Sequence, residues 1–343
     1  MKGGRSENLR LPYGKVPPET LKDIILRNLG KIREEVILGP ALGEDGAVVK
    51  VGEKVIISSM DPITGAVERI GWLAVNINAN DIATFGIPPS FFSSCILLPE
   101  DSTVEIVKVI CEQIDLAAKK LGIAVIGGHS EVTPGLDRPI IVGSAIGVTE
   151  PHRYVISGGA RAGDKLILTK GAGIEGTAIL AEERYDKLKV KLNGSLLISA
   201  KQFYDRISVV EDAIVAFQTN GVTAMHDPTE GGVAGGIHEM ADASKLGFKV
   251  FEDRIPVAPE TIEICRFFDI DPLQLISSGA LLISAKPGYA EKIIQKLLDH
   301  NIEAAVIGEF LEKPEERLLI RSDGAIITLE RPLTDHLWLA LRR

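Results

Sequence analysis

The apolar positions of this chain fall into short runs with two different periods. Brief apolar stretches at 36–38, 47–51 and 55–58, bounded by glycine or charged residues, predict three short strands. Residues 72–85 are apolar nearly all round, which predicts a buried helix stopped by Gly86, with Pro88 and Pro89 beyond it. Residues 91–98 then read as a buried strand. Ser102 to Glu105 is a capping-box spacing that opens a helix to Leu121, with Val107, Cys111, Ile114 and Ala118 on one face. Strands follow at 124–127 and 140–148. The same strand–helix–strand order recurs at 281–284, 289–300 and 304–307. Each half therefore carries a sheet with helices packed on it, an α+β fold in two domains, 18–152 and 153–343. The stretch 150–164 holds Pro151 and Gly158-Gly159 but also Tyr154, Val155 and Ile156, so it reads as a packed connector. A short helix is predicted at 18–29. The polar, glycine- and proline-rich residues 1–17 are expected to be mobile.

Composition narrows the function classes. A chain of 343 residues has room for two cores, and its formal net charge of −9 argues against a nucleic-acid surface. That charge would repel phosphates, so any phosphate site needs a local cation. No apolar run is long enough to span a membrane, and no leader pattern opens the chain, which predicts a cytoplasmic protein. Cys95, Cys111 and Cys265 sit apart in apolar contexts, without metal-ligand spacing, and read as buried free thiols.

Acids at element ends carry the candidate chemistry. Asp45 lies in the turn Gly43-Glu44-Asp45-Gly46, Asp61 ends an apolar run, and Asn80 and Asp81 interrupt the apolar helix. Charged groups are rarely buried without partners, and clustered carboxylates need a counter-ion. Magnesium suits such a cluster because it takes oxygen ligands and completes its shell with waters and substrate phosphates. The same acids also read as separate caps of turns and helices. Gly127-Gly128-His129-Ser130, after a strand, would let backbone amides approach an anion. Lys170-Gly171-Ala172-Gly173-Ile174-Glu175-Gly176, after the strand ending at Thr169, has the form of a glycine-rich turn entering a helix. His226-Asp227-Pro228-Thr229-Glu230-Gly231-Gly232 places three ionisable groups before another helix, with Thr229 or Asp227 as its cap. His238 and Glu239 further along that helix read as structural.

GEDGAVV (43–49), SSMDPIT (58–64), NANDIATFGIPP (78–89), GGHSEVTPG (127–135) and HDPTEGGVAGGIHEMADAS (226–244), in this order, resemble the AIR synthase-related superfamily. The resemblance spans nearly the whole chain and is strongest to HypE-like members. It implies a two-domain architecture, with an N-terminal sheet domain that pairs into a dimer barrel and a C-terminal α/β sandwich. It implies magnesium held by Asp45, Asp61 and Asp81. ATP is expected against those acids and Asn80, Gly127, Gly128, Ser130, Thr169, Gly173 and Gly176. His129 is expected beside the phosphates, and Asp227 and Glu230 beside the acceptor. Expected partners are a second copy of the chain, a maturation protein, and a small-molecule or side-chain acceptor.

Three departures qualify the resemblance. His129 stands where HypE-like chains carry an acid, so Glu131 becomes a substitute ligand. Glu230 stands where HypE-like chains often carry Arg. No cysteine follows Cys265, whereas HypE chemistry dehydrates a carbamoyl group on a C-terminal cysteine; self-cyanation is therefore not expected here. The tail, with Leu337, Trp338 and Leu341, is expected to dock. Two other readings remain at this point: a kinase or amidine-forming synthase on a small metabolite, and a non-catalytic nucleotide-binding subunit.

Overall fold

The computed structural model describes residues 11, 13–64 and 67–343. Two sheets organise them. The first contains β1 (Val36–Leu38), β2 (Ala47–Val51), β3 (Lys54–Ile63), β4 (Pro89–Leu98), β5 (Ala124–Val132) and β6 (Ile140–Thr149), in the order β1-β2-β3-β6-β4-β5. The second contains β7 (Lys165–Thr169), β8 (Val222–His226), β9 (Gly247–Phe251), β10 (Leu282–Ala285), β11 (Ala304–Leu311), β12 (Arg317–Ile320) and β13 (Ile326–Thr328). Its order is β13-β12-β9-β11-β7-β10-β8. Among these thirteen strands, only β4–β5 and β9–β12 pair in parallel. The β4–β5 pair needs a crossover, which the helix Val104–Leu121 supplies.

The helix Ile70–Ala83 is the hinge of the packing. All fourteen of its residues are buried, as its lack of a polar face predicts. It lies on β3 and β6 and against the helix Val104–Leu121, and it also touches the helix Val210–Phe217 of the second half. Trp72 Nε1 donates to Tyr204 O at 3.0 Å across the same boundary. Val104–Leu121 is amphipathic, with Ile110, Ile114, Ala117 and Ala118 buried, and it ends on Gly122 in the left-handed region. Its cap is Thr103, which accepts from the Ile106 N–H, one residue later than the sequence spacing predicts.

Several boundaries differ from expectation. β3 runs to Ile63 instead of stopping at Ser58, so Asp61 lies inside a strand. β5 runs through Gly127–Ser130 to Val132, so the predicted anion loop is strand. The first helix is one and a half turns, Pro18–Asp23, followed by a 3-10 turn at Ile25–Arg27. Cys265 is buried, but Cys95 is only half-buried and Cys111 is exposed. Of the segment expected to be mobile, residues 1–10 and 12 lie outside the described residues; Tyr13–Lys15 are docked, as shown below. Residues 157–159 form a 3-10 turn in the connector, with Ser157 buried.

Candidate active site

β3 and the helix Ile70–Ala83 present two of the acids. Asn78, one turn before Ile82, reaches β3: its Oδ1 accepts from Asp61 N at 2.9 Å and its Nδ2 donates to Asp61 O at 3.3 Å. This amide clamp fixes the backbone that carries the Asp61 carboxylate. It requires a glycine opposite, because a Cβ on Gly143 of β6, the residue paired with Asp61, would collide with the Asn78 amide. Ser59 donates to Asp81 Oδ2, tying the helix acid to the same strand.

The second half brings its own acids to this place. His226 ends β8, and Asp227 follows it, 1% exposed. His226 Nε2 lies 2.9 Å from Glu239 Oε2 of the helix Gly232–Ser244, and its Nδ1 lies 2.6 Å from Asp45 Oδ1 without a well-directed hydrogen bond. Asp45 Oδ2 accepts from Ser157 Oγ, and Glu44 beside it accepts the amides of Ser157 and Gly158 at 3.0 and 2.9 Å. The turn 43–46 is thereby fastened to the connector and to the second sheet. Lys15 completes the ring: its Nζ is 3.4 Å from Glu239, and its N–H donates to Glu230 Oε2 at 2.7 Å. Tyr13 packs under the Arg342 guanidinium, and its carbonyl accepts from Thr334. Tyr13–Lys15 therefore lie across the mouth of the cluster.

Electrostatics show how crowded it is. Burial, helped by Asp45, Glu230 and Glu239 against Lys15, pushes Asp61 up to about 6. Burial, then Asp61, Asp227 and Asp45, push Asp81 well above the carboxylate range. Burial and Asp45 push Asp227 up to about 8, and its Oδ2 has no hydrogen-bond partner. Burial alone would lower His226; Asp45 and Glu239 outweigh it and raise it to about 10. Burial opposes ionisation of Glu239, but Lys15 and His226 hold it at about 2. The imidazolium and the half-exposed Lys15 ammonium do not neutralise this many carboxyl groups. Acids pushed up together, one with a buried orphan oxygen, mark a site short of positive charge.

The donor chemistry fits magnesium: Asp61, Asp81 and Asp227 are carboxyl groups, and the unsatisfied Asp227 oxygen is a hard donor. Among the described residues, no three His, Cys, Asp or Glu side chains stand close enough to cage an ion by themselves. Magnesium does not need a cage, since it is commonly held by one or two carboxylates, waters and substrate phosphates.

Other residues expected at the site lie elsewhere or are committed to other bonds. Asp61 pairs with Gly143, Gly143 with Ser94, and Ser94 with Gly128, so β5 is three strands from β3, roughly 14 Å at about 4.8 Å per step. All nine β5 residues are exposed, including Gly127, Gly128, His129 and Ser130. His129 bonds Glu131, which also accepts from Thr133, so within one chain neither reaches the acids. Asn80 is fully buried, and its amide joins Ile207 O and Val209 N at 2.9 and 2.8 Å; it ties the two halves together instead of turning toward Asp81. Thr169 bonds Asp212 and the Leu281 amide. The Gly173 and Gly176 amides donate to Ser277 Oγ and Ile276 O, which satisfies them within the fold. Neither Thr229 nor Asp227 caps its helix; Asp335 accepts the Gly231 N–H at 2.7 Å instead. His238 is structural, bonded to Leu329 O, whereas Glu239 belongs to the cluster.

The chain matches the model of AIR synthase related protein, N-terminal domain, over residues 43–149, and that of its C-terminal domain over residues 161–321. The chain belongs to the AIR synthase related family. Within that family it is 29% identical over 329 residues to a putative hydrogenase expression/formation protein of Methanocaldococcus jannaschii, covering 94% of this chain and 95% of the relative. It is 28% identical over 279 residues to the carbamoyl dehydratase HypE of Escherichia coli, covering 79% and 80%. A chain of a HypE–HypF complex has the same fold, with a TM-score of 0.76 and 22% identity, covering 91% of this chain and 99% of that one. A HypE structure in complex with ATP superposes with a TM-score of 0.69 at 21% identity, covering 94% and 96%. The mixed α/β layout with two sheets is the fold of these neighbours. No helix among the described residues is long and apolar enough to cross a membrane.

Proposed function

We propose that this protein is an ATP-dependent, HypE-like enzyme of hydrogenase maturation, cytoplasmic and homodimeric, which activates an acceptor oxygen by phosphoryl transfer. The observation that carries the proposal is the gathering of acids from both halves: Asp81 is bonded to Ser59 and Asp61 to Asn78 in the first half, and Asp45 meets His226, the residue before Asp227, in the second. The relatives' names support the chemical class: the Escherichia coli protein is a carbamoyl dehydratase, and a structural neighbour binds ATP. The partnered neighbour supports a maturation protein of the HypF kind as a docking partner. Of Asp45, Asp61, Asp81 and Asp227, one or two would hold magnesium, with waters and the ATP phosphates completing its shell. Magnesium, when bound, neutralises charge on the phosphates and on the phosphoryl group in flight. The protein's share is positioning: Asn78 holds Asp61, Ser59 holds Asp81, and His226 holds Asp45 against Glu239.

The exposed edge β5 supports the dimer. An unpaired edge with Val125, Ile126 and Val132 outward asks for a cover, and a second copy would also bury Gly127–Ser130. Assayed with Mg·ATP and a thiocarbamate such as S-carbamoyl-L-cysteine, the protein should release ADP only when the acceptor is present. ATP affinity without turnover under carbamoyl acceptors would instead support a nucleotide-binding subunit.

A further inference from the structure

Asp81, His226 and Asp227 are 5%, 2% and 1% exposed, so part of the acid cluster is sealed from solvent. A phosphate reaches these carboxyls only if some of the enclosure moves. The segment Tyr13–Lys15 is its least anchored part. It belongs to no helix or strand, and Tyr13 is 67% exposed. Thr334 Oγ1 donates to Tyr13 O at 3.3 Å, and the Arg342 guanidinium lies 4.2 Å from the Tyr13 ring centroid. The Lys15 N–H donates to Glu230 Oε2 at 2.7 Å, and Lys15 Nζ lies 3.4 Å from Glu239 Oε1. Exposed contacts of this kind are individually weak, and segments with few buried contacts open first. Gly14 sits at φ +94°, where a Cβ would lie 2.5 Å from Glu230 Oε2 and 3.5 Å from Trp338 Nε1. The backbone is pressed between an acid and the last helix, His336–Arg342, in a conformation that favours glycine.

We propose that Tyr13–Lys15 is an autoinhibitory strap: in the metal-free protein the Lys15 ammonium stands in for the divalent cation, and binding of Mg·ATP displaces it. This rests on the magnesium–nucleotide reading above. Burial alone would lower the Lys15 ammonium; Glu239, Asp61, Asp45 and Glu230 outweigh it and raise it. Against the burial that raises Asp61 and Asp227, Lys15 pulls both back toward the ionised form. The ammonium and Mg2+ therefore draw on the same carboxyls, and a lysine gains less from acids that a divalent ion has already neutralised. Displacement frees the Glu230 and Glu239 carboxylates together. A strap of this kind lowers the apparent affinity for Mg·ATP by the fraction of molecules in which it is open.

The test compares the full chain with its Lys15→Gln and Gly14→Ala variants. Calorimetry reads Mg·ATP affinity, and trypsin cleavage after Lys15, followed as the fragment that begins at Val16, reads the strap. Lys15→Gln removes the ammonium and keeps the N–H; Gly14→Ala strains the strap and keeps the ammonium. Both variants should bind Mg·ATP about tenfold more tightly than wild type, as follows when the strap is open in about one molecule in ten. Saturating Mg·ATP should speed the cut in wild type about tenfold, and metal-free Gly14→Ala should be cut about as fast without it. Equal Mg·ATP affinity in all three proteins would overturn the strap and leave the nucleotide site standing. Weaker binding in Lys15→Gln would overturn it by making the ammonium a phosphate ligand. Slower cleavage of wild type with Mg·ATP would overturn it by making the segment a lid over bound nucleotide. Failure of all three proteins to bind Mg·ATP would remove the nucleotide reading, and this inference with it.

Discussion

β3 and β5 cross the same transverse row of one sheet, Asp61 on the first and Gly128 on the second, yet they meet opposite surroundings. Asp61 is covered by the second half of the chain, faces buried acids and is held by Asn78. Among the described residues, β5 has no neighbour on its outer edge, and it is exposed at every position. Both strands carry residues that sequence motifs assign to one nucleotide. The difference shows that the acid cluster is built by contacts between the two halves of the chain, whereas the Gly127–Ser130 row takes no part in those contacts among the described residues.

Removing the centre of the covered side should cost most. His226→Ala leaves Asp45 and Glu239 without their shared cation, and breaking a buried pair typically costs about 3–5 kcal/mol. Chemical denaturation should show that loss. Gly143→Val would drive a side chain into the Asn78 amide and should cost about 1–3 kcal/mol while releasing Asp61, so stability and Mg·ATP affinity should fall together. On the exposed side, Ile126→Lys should leave the unfolding midpoint nearly unchanged but shift the light-scattering mass from dimer to monomer. His129→Ala should be smallest, since an exposed His–Glu pair contributes about 0–1 kcal/mol.

The pH response gives the covered side a signature. Asp61 and Asp227, held by burial at about 6 and about 8, keep protons that the unfolded chain loses near pH 4. The native state therefore binds more protons between pH 4 and 8, and stability falls as pH rises through that window. His226, raised to about 10, adds to the same trend between its unfolded value of 6.5 and 10. Glu239, lowered to about 2, acts in the opposite direction but only below its unfolded value of 4.5. Metal-free protein should thus melt lower at pH 8 than at pH 6, and added Mg2+ should raise the melting temperature more at pH 8. Scanning calorimetry at the two pH values checks both.

Most elements were legible because burial left a period in the sequence. The all-apolar helix, the amphipathic helix Val104–Leu121 and the strands of both sheets follow from it. The acids were visible as charges placed where packing does not want them. The groups that hold them were not. Lys15 sits in a stretch whose composition reads as mobile, and its docking depends on Glu230 and Glu239, more than two hundred residues away. Asn78 and Asn80 are neighbours in one motif, but only the fold shows that Asn78 faces Asp61 and Asn80 faces the second half. The glycines at 173 and 176 mimic an anion loop because close packing and close ligand approach ask for the same residue.

Calorimetric titration of ATP, with and without Mg2+, into the wild-type protein and Asp61→Asn reads the acid cleft most directly. Wild type should bind ATP at least about tenfold more tightly with Mg2+, and Asp61→Asn, which keeps the shape of the side chain, should lose most of that gain. An equal magnesium-dependent gain in both proteins would contradict a cation held by the converged aspartates.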